Sequence, residues 1–279
     1  MRVWFITGAS RGFGARITAE ALKRGDAVIA TARDPSAVTK QFGEHDRLLA
    51  VKLDVSNEAQ AHEAAGAAVK KFGRIDILVN NAGYGLLGAV EESSADEVQR
   101  LFATNVFGLL NVTRAVLPHM RRQRSGHIMN ISSIGGYSGH YGWGVYGSTK
   151  FAVEGLSEAM SAELAPLSIH VTVVEPGFFR TDFLDEQSLS RTKLEISDYA
   201  GTVGKMRVLA AEANHAQPGD PSKLAAAFMT LADAKTPPTR LPLGSDTVAR
   251  IEAKHVHVET ELAAWRDVAL STDFAREPA

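Results

Sequence analysis

Short runs rich in β-branched residues alternate along this chain with longer stretches whose apolar positions recur every three to four residues. The short runs are VWFI at 3–6, AVIAT at 27–31, LLAVKLDV at 48–55, IDILVN at 75–80, HIMNIS at 127–132 and IHVTVVE at 169–175. Helical spacing fills the intervals 15–23, 58–72, 96–123 and 145–164. A strand period answered by a helix period, repeated in this way, predicts right-handed βαβ units and an α/β fold in which helices cover both faces of a parallel sheet. Nothing interrupts the alternation as a linker would, so a single domain over 1–279 is expected.

Beyond Pro176 the pattern loosens. Residues 180–216 are polar and read as irregular, a helix is expected at 221–233, a last strand at 239–243, and a helical extension at 245–270. Ligands of such sheets sit at the carboxyl ends of the strands, which makes 183–216 a candidate lid over a substrate.

Composition narrows the chemistry. The chain has 279 residues, a net charge of −2 and no cysteine, which removes disulfides, thiolate nucleophiles and cysteine-bound metals. The nine histidines are scattered, and no cluster has metal-ligand spacing, so no metal is expected. No basic tract suggests nucleic acid; the Arg121, Arg122, Arg124 group reads as the cationic end of a helix. The first strand begins at once, leaving no room for a cleavable leader, and no apolar stretch approaches the roughly 20 residues of a membrane span. A cytoplasmic protein with no membrane or nucleic-acid partner is expected.

The first strand runs into Thr7-Gly8-Ala9-Ser10-Arg11-Gly12-Phe13-Gly14 and then a helix. Glycines there permit a tight turn, so that a pyrophosphate can lie on the amides of Gly8, Ser10, Arg11, Gly12, Phe13 and Gly14 at the helix N-terminus. The second strand ends Thr31-Ala32-Arg33, without the carboxylate that would accept hydrogen bonds from a free ribose 2′-hydroxyl. Arg33 and Arg11 can instead grip a 2′-phosphate, so NADP(H) is the expected cofactor, with Asp34 keeping NAD(H) as the alternative.

Tyr146 and Lys150 stand four residues apart at the start of a helical stretch and therefore share a face. Their spacing alone means little; Ser133 at the end of the fifth strand gives it weight. A phenol transfers protons poorly near neutrality unless its anion is stabilised, and the Lys150 ammonium, aided by the positive nicotinamide of an oxidised cofactor, is expected to lower the Tyr146 pKa while Ser133 holds a substrate oxygen.

With these motifs assembled, the chain resembles the short-chain dehydrogenase/reductase family, in its TGxxxGxG and YxxxK branch, over residues 3 to about 182. Thr7 to Gly14 resembles the cofactor turn, Asp54-Val55 the adenine-contacting pair, Asn80-Asn81-Ala82-Gly83 the NNAG signature, and Pro176-Gly177 with Thr181 the element that holds the nicotinamide amide. The resemblance implies a Rossmann-type sheet and hydride transfer between NADP(H) and a ketone or secondary alcohol. In that scheme Tyr146 is the general acid or base, Lys150 binds the nicotinamide ribose and tunes Tyr146, Ser133 binds the substrate oxygen, and Asn105 anchors a relay water. It also implies a homodimer or homotetramer formed by the two long helices at 98–122 and 146–164. Tyr84, Ile134, Tyr137, Tyr141, Trp143, Phe178 and Phe179 flank the site, suiting an apolar or aromatic carbonyl compound. Two rival readings are a dinucleotide sensor without turnover, which would not need Ser133, Tyr146 and Lys150 together, and an extended-type epimerase or dehydratase, which the TGxxxGxG spacing disfavours.

Overall fold

A computed structural model describes residues 1–274. The first half runs β1 (Val3–Ile6), α1 (Gly12–Lys23), β2 (Ala27–Ala32), α2 (Ser36–Phe42), β3 (Leu48–Lys52), α3 (Glu58–Phe72), β4 (Ile77–Asn80), β5 (Gly85–Leu87), α4 (Ala95–Phe102) and α5 (Leu109–Gln123). The second runs β6 (Gly126–Ile131), α6 (Gly144–Leu164), β7 (Ile169–Pro176), β8 (Leu189–Arg191), α7 (Lys205–Glu212), α8 (Pro221–Asp233), β9 (Arg240–Leu243) and α9 (Ser245–Leu270). Seven strands form one parallel sheet in the order β3-β2-β1-β4-β6-β7-β9. It is a Rossmann-type α/β domain.

The inner strands are apolar on both faces because both faces are covered. One core packs Phe5, Ile29, Leu78, Ile128 and Val171 against α3, α5 and α6; the other packs Trp4, Ile6, Val28, Val79 and Val174 against α1 and α8. Local signals set the helix ends. Asn57 accepts the Gln60 amide at the start of α3, Ser94 and Glu97 form a capping box on α4, and Asp220 followed by Pro221 opens α8.

Two expectations need correction. The segment 180–216 is ordered rather than irregular: β8 pairs in parallel with β5, which the pattern of three short residues did not announce, and α7 follows. Leu87, Leu184, Leu189 and Met206 give it a small core of its own. The helical run Ala95–Gln123 is also long and apolar enough to cross a membrane, with a mean hydropathy of 1.2 over its best window, contrary to the sequence expectation. In this fold 56% of that window is buried inside the protein. The run is interrupted by a wider, π-type turn at Ala103–Gly108, which carries Asn105.

Candidate active site

Strand order reverses between β1 and β4, and the predicted site residues gather at the carboxyl edge there. The turn after β1 takes the conformation its glycines permit: Gly8 has φ +63° and Gly12 φ +54°. Gly14 serves close approach instead, since a Cβ there would stand 2.4 Å from the Gly8 carbonyl oxygen. Thr7 and Asn81 lock the turn to the end of β4: Thr7 Oγ1 accepts the Asn81 and Ala82 amides at 2.9 Å, and Asn81 Nδ2 donates to the carbonyls of Thr7 and Gly8. Asn81 thus shapes the cradle through its side chain.

The N-terminus of α1 has no side-chain cap and no acidic residue in its first turn. Its amides are left to an anion. A Cβ on Gly12 would project into open space, beside a cavity of about 380 Å³ lined by Ser10, Arg11, Gly12, Arg16, Gln41 and Asp182. The donor set and the cradle fit a dinucleotide phosphate. Arg16 was not anticipated; its place one turn into α1 was the available signal.

At the ribose end, Arg33 is exposed directly after the buried Ala32. Asp34 is spent locally, accepting the Ser36 amide at 3.0 Å, and Ser36 holds its carboxyl below the ordinary value. Arg11 departs from expectation: its guanidinium donates to Gln187 Oε1 and to the Gln187 carbonyl, both at 2.6 Å. The 183–216 segment captures it because that segment is folded over the turn. Asp54 Oδ1 accepts both the amide and the hydroxyl of Ser56, and the Val55 carbonyl accepts Asn111 Nδ2, fixing the Asp54-Val55 corner.

The catalytic candidates converge. Lys150 is buried, and its Nζ donates to the Ile131 carbonyl at 2.9 Å and lies 5.8 Å from the centroid of the Tyr146 ring. Burial distinguishes the two serines that follow β6, Ser132 being buried and Ser133 half-buried. Ser132 is 2% exposed, and a side chain at Gly136 would bring its Cβ within 2.5 Å of Ser132 Oγ. Ser133 accepts the Gly135 amide and acts on the Tyr146 phenol as a hydrogen-bonding neighbour. Asn105 is committed on three sides: it accepts the Tyr84 amide and donates to the Tyr84 carbonyl and Thr149 Oγ1. A Cβ at Gly83 would stand 3.1 Å from Asn105 Oδ1 and 3.8 Å from Lys150 Nζ, so Gly83 keeps this corner open.

The Tyr146 phenol and the Lys150 ammonium are both buried. Burial pushes the phenol well above its ordinary value, opposed only in part by Ser133. Burial likewise pulls Lys150 down to about 8, with the negative charge of Glu154 opposing. Both groups are removed from water, and burial is the largest influence on each.

The family model for short chain dehydrogenases matches residues 2–192. The chain belongs to the short-chain dehydrogenase family. Oxidoreductase BOA17 of Botryotinia fuckeliana is 38% identical over 97% of this chain and 99% of its own. A 3-ketodihydrosphingosine reductase of Bacteroides thetaiotaomicron is 40% identical over 87% and 88%. The solved short-chain dehydrogenase from Streptomyces avermitilis superposes with a TM-score of 0.90 at 40% identity, over 98% of this chain and 100% of that one. A serine dehydrogenase complexed with NADP+ (TM-score 0.74, 30% identity, 86% and 94% covered) and a Brucella melitensis 3-ketoacyl-(acyl-carrier-protein) reductase complexed with NADH (0.73, 27%, 87% and 96%) share the fold. This dehydrogenase is therefore an oxidoreductase that uses a nicotinamide dinucleotide.

In the dehydrogenase, Trp143 and Phe183 pack around Tyr146, with ring centroids at 5.8 and 5.7 Å. Tyr84, Leu86, Val98 and Leu101 complete this apolar cluster. Other expected pocket aromatics are used elsewhere. Phe179 meets Phe13 edge-on at 5.6 Å, Tyr137 hydrogen-bonds His255 on α9, and Tyr141 and Phe178 are exposed. Thr181 caps the turn at 182–184 by accepting the Phe183 amide. Gly177 is required because the Asp246 carboxylate lies where a Cβ would be, while Asp246 Oδ2 accepts the Phe178 amide at 2.8 Å. Asp246, distant in sequence, thus clamps the Pro176-Gly177 element.

Proposed function

We propose that this dehydrogenase is an NADP(H)-dependent carbonyl reductase and alcohol dehydrogenase acting on apolar or aromatic ketones and their secondary alcohols, in the direction of reduction in the cell. The observation that carries the reading is the convergence of Ser133, Tyr146 and Lys150 beside a glycine turn whose helix amides await an anion. NADP(H) is preferred over NAD(H) because Ala32 stands where a carboxylate would select a free 2′-hydroxyl, Asp34 is occupied by Ser36, and Arg33 is an exposed cation directly after it.

When bound, the cofactor would supply the hydride and, in its oxidised form, a positive charge. Ser133 holds the substrate oxygen by donating its hydroxyl proton. Tyr146 then transfers its phenolic proton to that oxygen in reduction and withdraws it in oxidation. Lys150, braced by the Ile131 carbonyl, stabilises the phenolate left behind and binds the nicotinamide ribose hydroxyls. Asn105 holds Tyr84 and Thr149, keeping the π-type turn in shape around a relay water for Lys150. Gly8, Ser10, Gly12, Phe13 and Gly14 would cradle the pyrophosphate, Asp54 and Val55 would meet the adenine, Ala82 and Gly83 would border the cofactor, and Thr181 would hold the nicotinamide amide.

The wall of Trp143, Phe183, Tyr84 and Leu86 supports an apolar ketone, as does likeness to a relative named for reduction of a 3-keto sphingoid base. Residues 183–216 act as the lid, closing through Arg11–Gln187 and Phe183. The protein is read as a cytoplasmic homodimer or homotetramer without nucleic-acid or membrane partners, assembled through α5 and α6. A panel of aliphatic and aryl ketones assayed by NADPH oxidation tests the reading; no turnover across the panel would refute it.

A further inference from the structure

Behind Lys150, on the side away from Tyr146, lies a charged cluster that the proposed chemistry does not use. Glu154 follows Lys150 by one helical turn and is 4% exposed; Glu175 on β7 is 0% exposed. Both carboxylates grip Arg240 Nη1 on β9, and Arg240 Nη2 reaches the exposed Glu158 at 2.6 Å. Glu154 Oε1 and Glu175 Oε2 are buried with no hydrogen-bond partner, as is Ser132 Oγ. Leaving such oxygens unpartnered is costly, so a pair of this kind is seldom retained for stability alone.

We propose that Glu154 is a positioning residue: its carboxylate supplies the negative field that keeps the buried Lys150 ammonium charged, while Glu175 and Arg240 set the charge of Glu154 itself. Glu154 and Lys150 form no ion pair, and Lys150 Nζ is held by Ile131, so the influence acts through the field across one helical turn. Tyr146 lies beside Lys150, and the other charged or titratable groups at the cluster are Glu158 one turn further along α6, Tyr137, whose ring lies 5.2 Å under the Arg240 guanidinium, and His255 of α9, bonded to Tyr137. Burial raises Glu154 above the ordinary carboxylate range, the negative charge of the neighbouring Glu175 adds to this, and the Arg240 guanidinium opposes it. Lys150 is under the contrary pull of its own burial. The two groups therefore exchange influence near neutrality, where the charge on Lys150 matters to Tyr146. The inference rests on the catalytic reading of Lys150 given above.

The test is an NMR titration of the Lys150 side-chain amine in the cofactor-free protein, alongside the pH profile of kcat/KM for ketone reduction. Glu154→Gln is expected to lower the Lys150 midpoint by about one pH unit and to move the alkaline limb of the profile with it. Glu154→Asp restores most of that shift. Glu175→Gln, which relieves repulsion on Glu154, leaves the Lys150 midpoint in place or raises it, and remains informative should Glu154→Gln fail to fold. A Glu154→Gln midpoint within roughly 0.3 unit of the parent, or an equal fall in both glutamine variants, overturns the proposal. Failure of the catalytic reading would look different: no turnover in the parent, with the Lys150 midpoints still responding to Glu154.

Discussion

The Tyr146 phenol is buried, raised by that burial, and flanked by Ser133 and Lys150, so its proton is available only to a group that enters the site. Tyr146→Phe is expected to cut kcat/KM by about 10²–10⁴-fold while NADPH affinity stays near the parent value, measured by steady-state kinetics and fluorescence titration. A parallel loss of binding would instead assign Tyr146 to the architecture of the site. At the other end of the cofactor, Arg33 extends into solvent after a strand end that carries no carboxylate. Arg33→Ala is expected to weaken NADPH by about tenfold or more and to leave NADH nearly unchanged, which paired dissociation constants would settle.

Among the elements, the β1–α1 turn is the least tolerant. A methyl group at Gly14 meets the Gly8 carbonyl oxygen at 2.4 Å and Asn81 Nδ2 at 2.6 Å, and the first of these is backbone that has no free direction in which to move. Gly14→Ala is expected to lower stability by about 1–3 kcal/mol and to abolish dinucleotide binding, read by thermal unfolding with and without NADPH. Strands β6 and β7 carry a second constraint. Thr172 donates its hydroxyl to the Pro238 carbonyl, so the 2.9 Å contact requires His127 Nε2–H to be the donor, with His170 and Arg2 nearby discouraging a second proton. Burial is the largest cause that brings His127 down to about 3 from 6.5. The unfolded chain therefore binds more protons between those values, and stability falls as pH drops through that window. His127→Gln is expected to recover most of an acid-side loss of about 3 kcal/mol, seen in urea unfolding at pH 4 against pH 7.

For the whole molecule, the long helices predicted to pair subunits leave large apolar side chains in water. Phe107, in the π-type turn before α5, is 57% exposed, and Phe151 on α6 is 46% exposed, with the small Gly155, Ala159 and Ala162 exposed along the same helix. That combination suits close helix contact with another copy. Phe151→Glu is expected to shift sedimentation toward monomer without lowering the unfolding temperature of the dissociated chain, and an unchanged sedimentation coefficient would count against α6 as the interface.

The order of motifs along the chain settled most of the fold and the nucleus of the site. Buried strands read as apolar runs, the glycine turn between β1 and α1 is legible from its spacing, and Tyr146, Lys150 and Ser133 stand in register along the sequence. Such features are local, because helix and strand periods and turn chemistry are carried by neighbouring residues. What the sequence could not settle depended on partners far away in the chain. The three-residue strands β5 and β8 are too short to show a period and exist through each other, 104 residues apart at Gly85 and Leu189. Arg11 looked free until Gln187 folded over it, Gly177 proved to need room for Asp246, and Glu154, plain on a helix face, met Glu175 and Arg240 only once β7 and β9 were side by side. Burial, the cause of the shifted Tyr146 and Lys150, is likewise a property of the packed molecule, since no residue is removed from water by its own sequence neighbours alone.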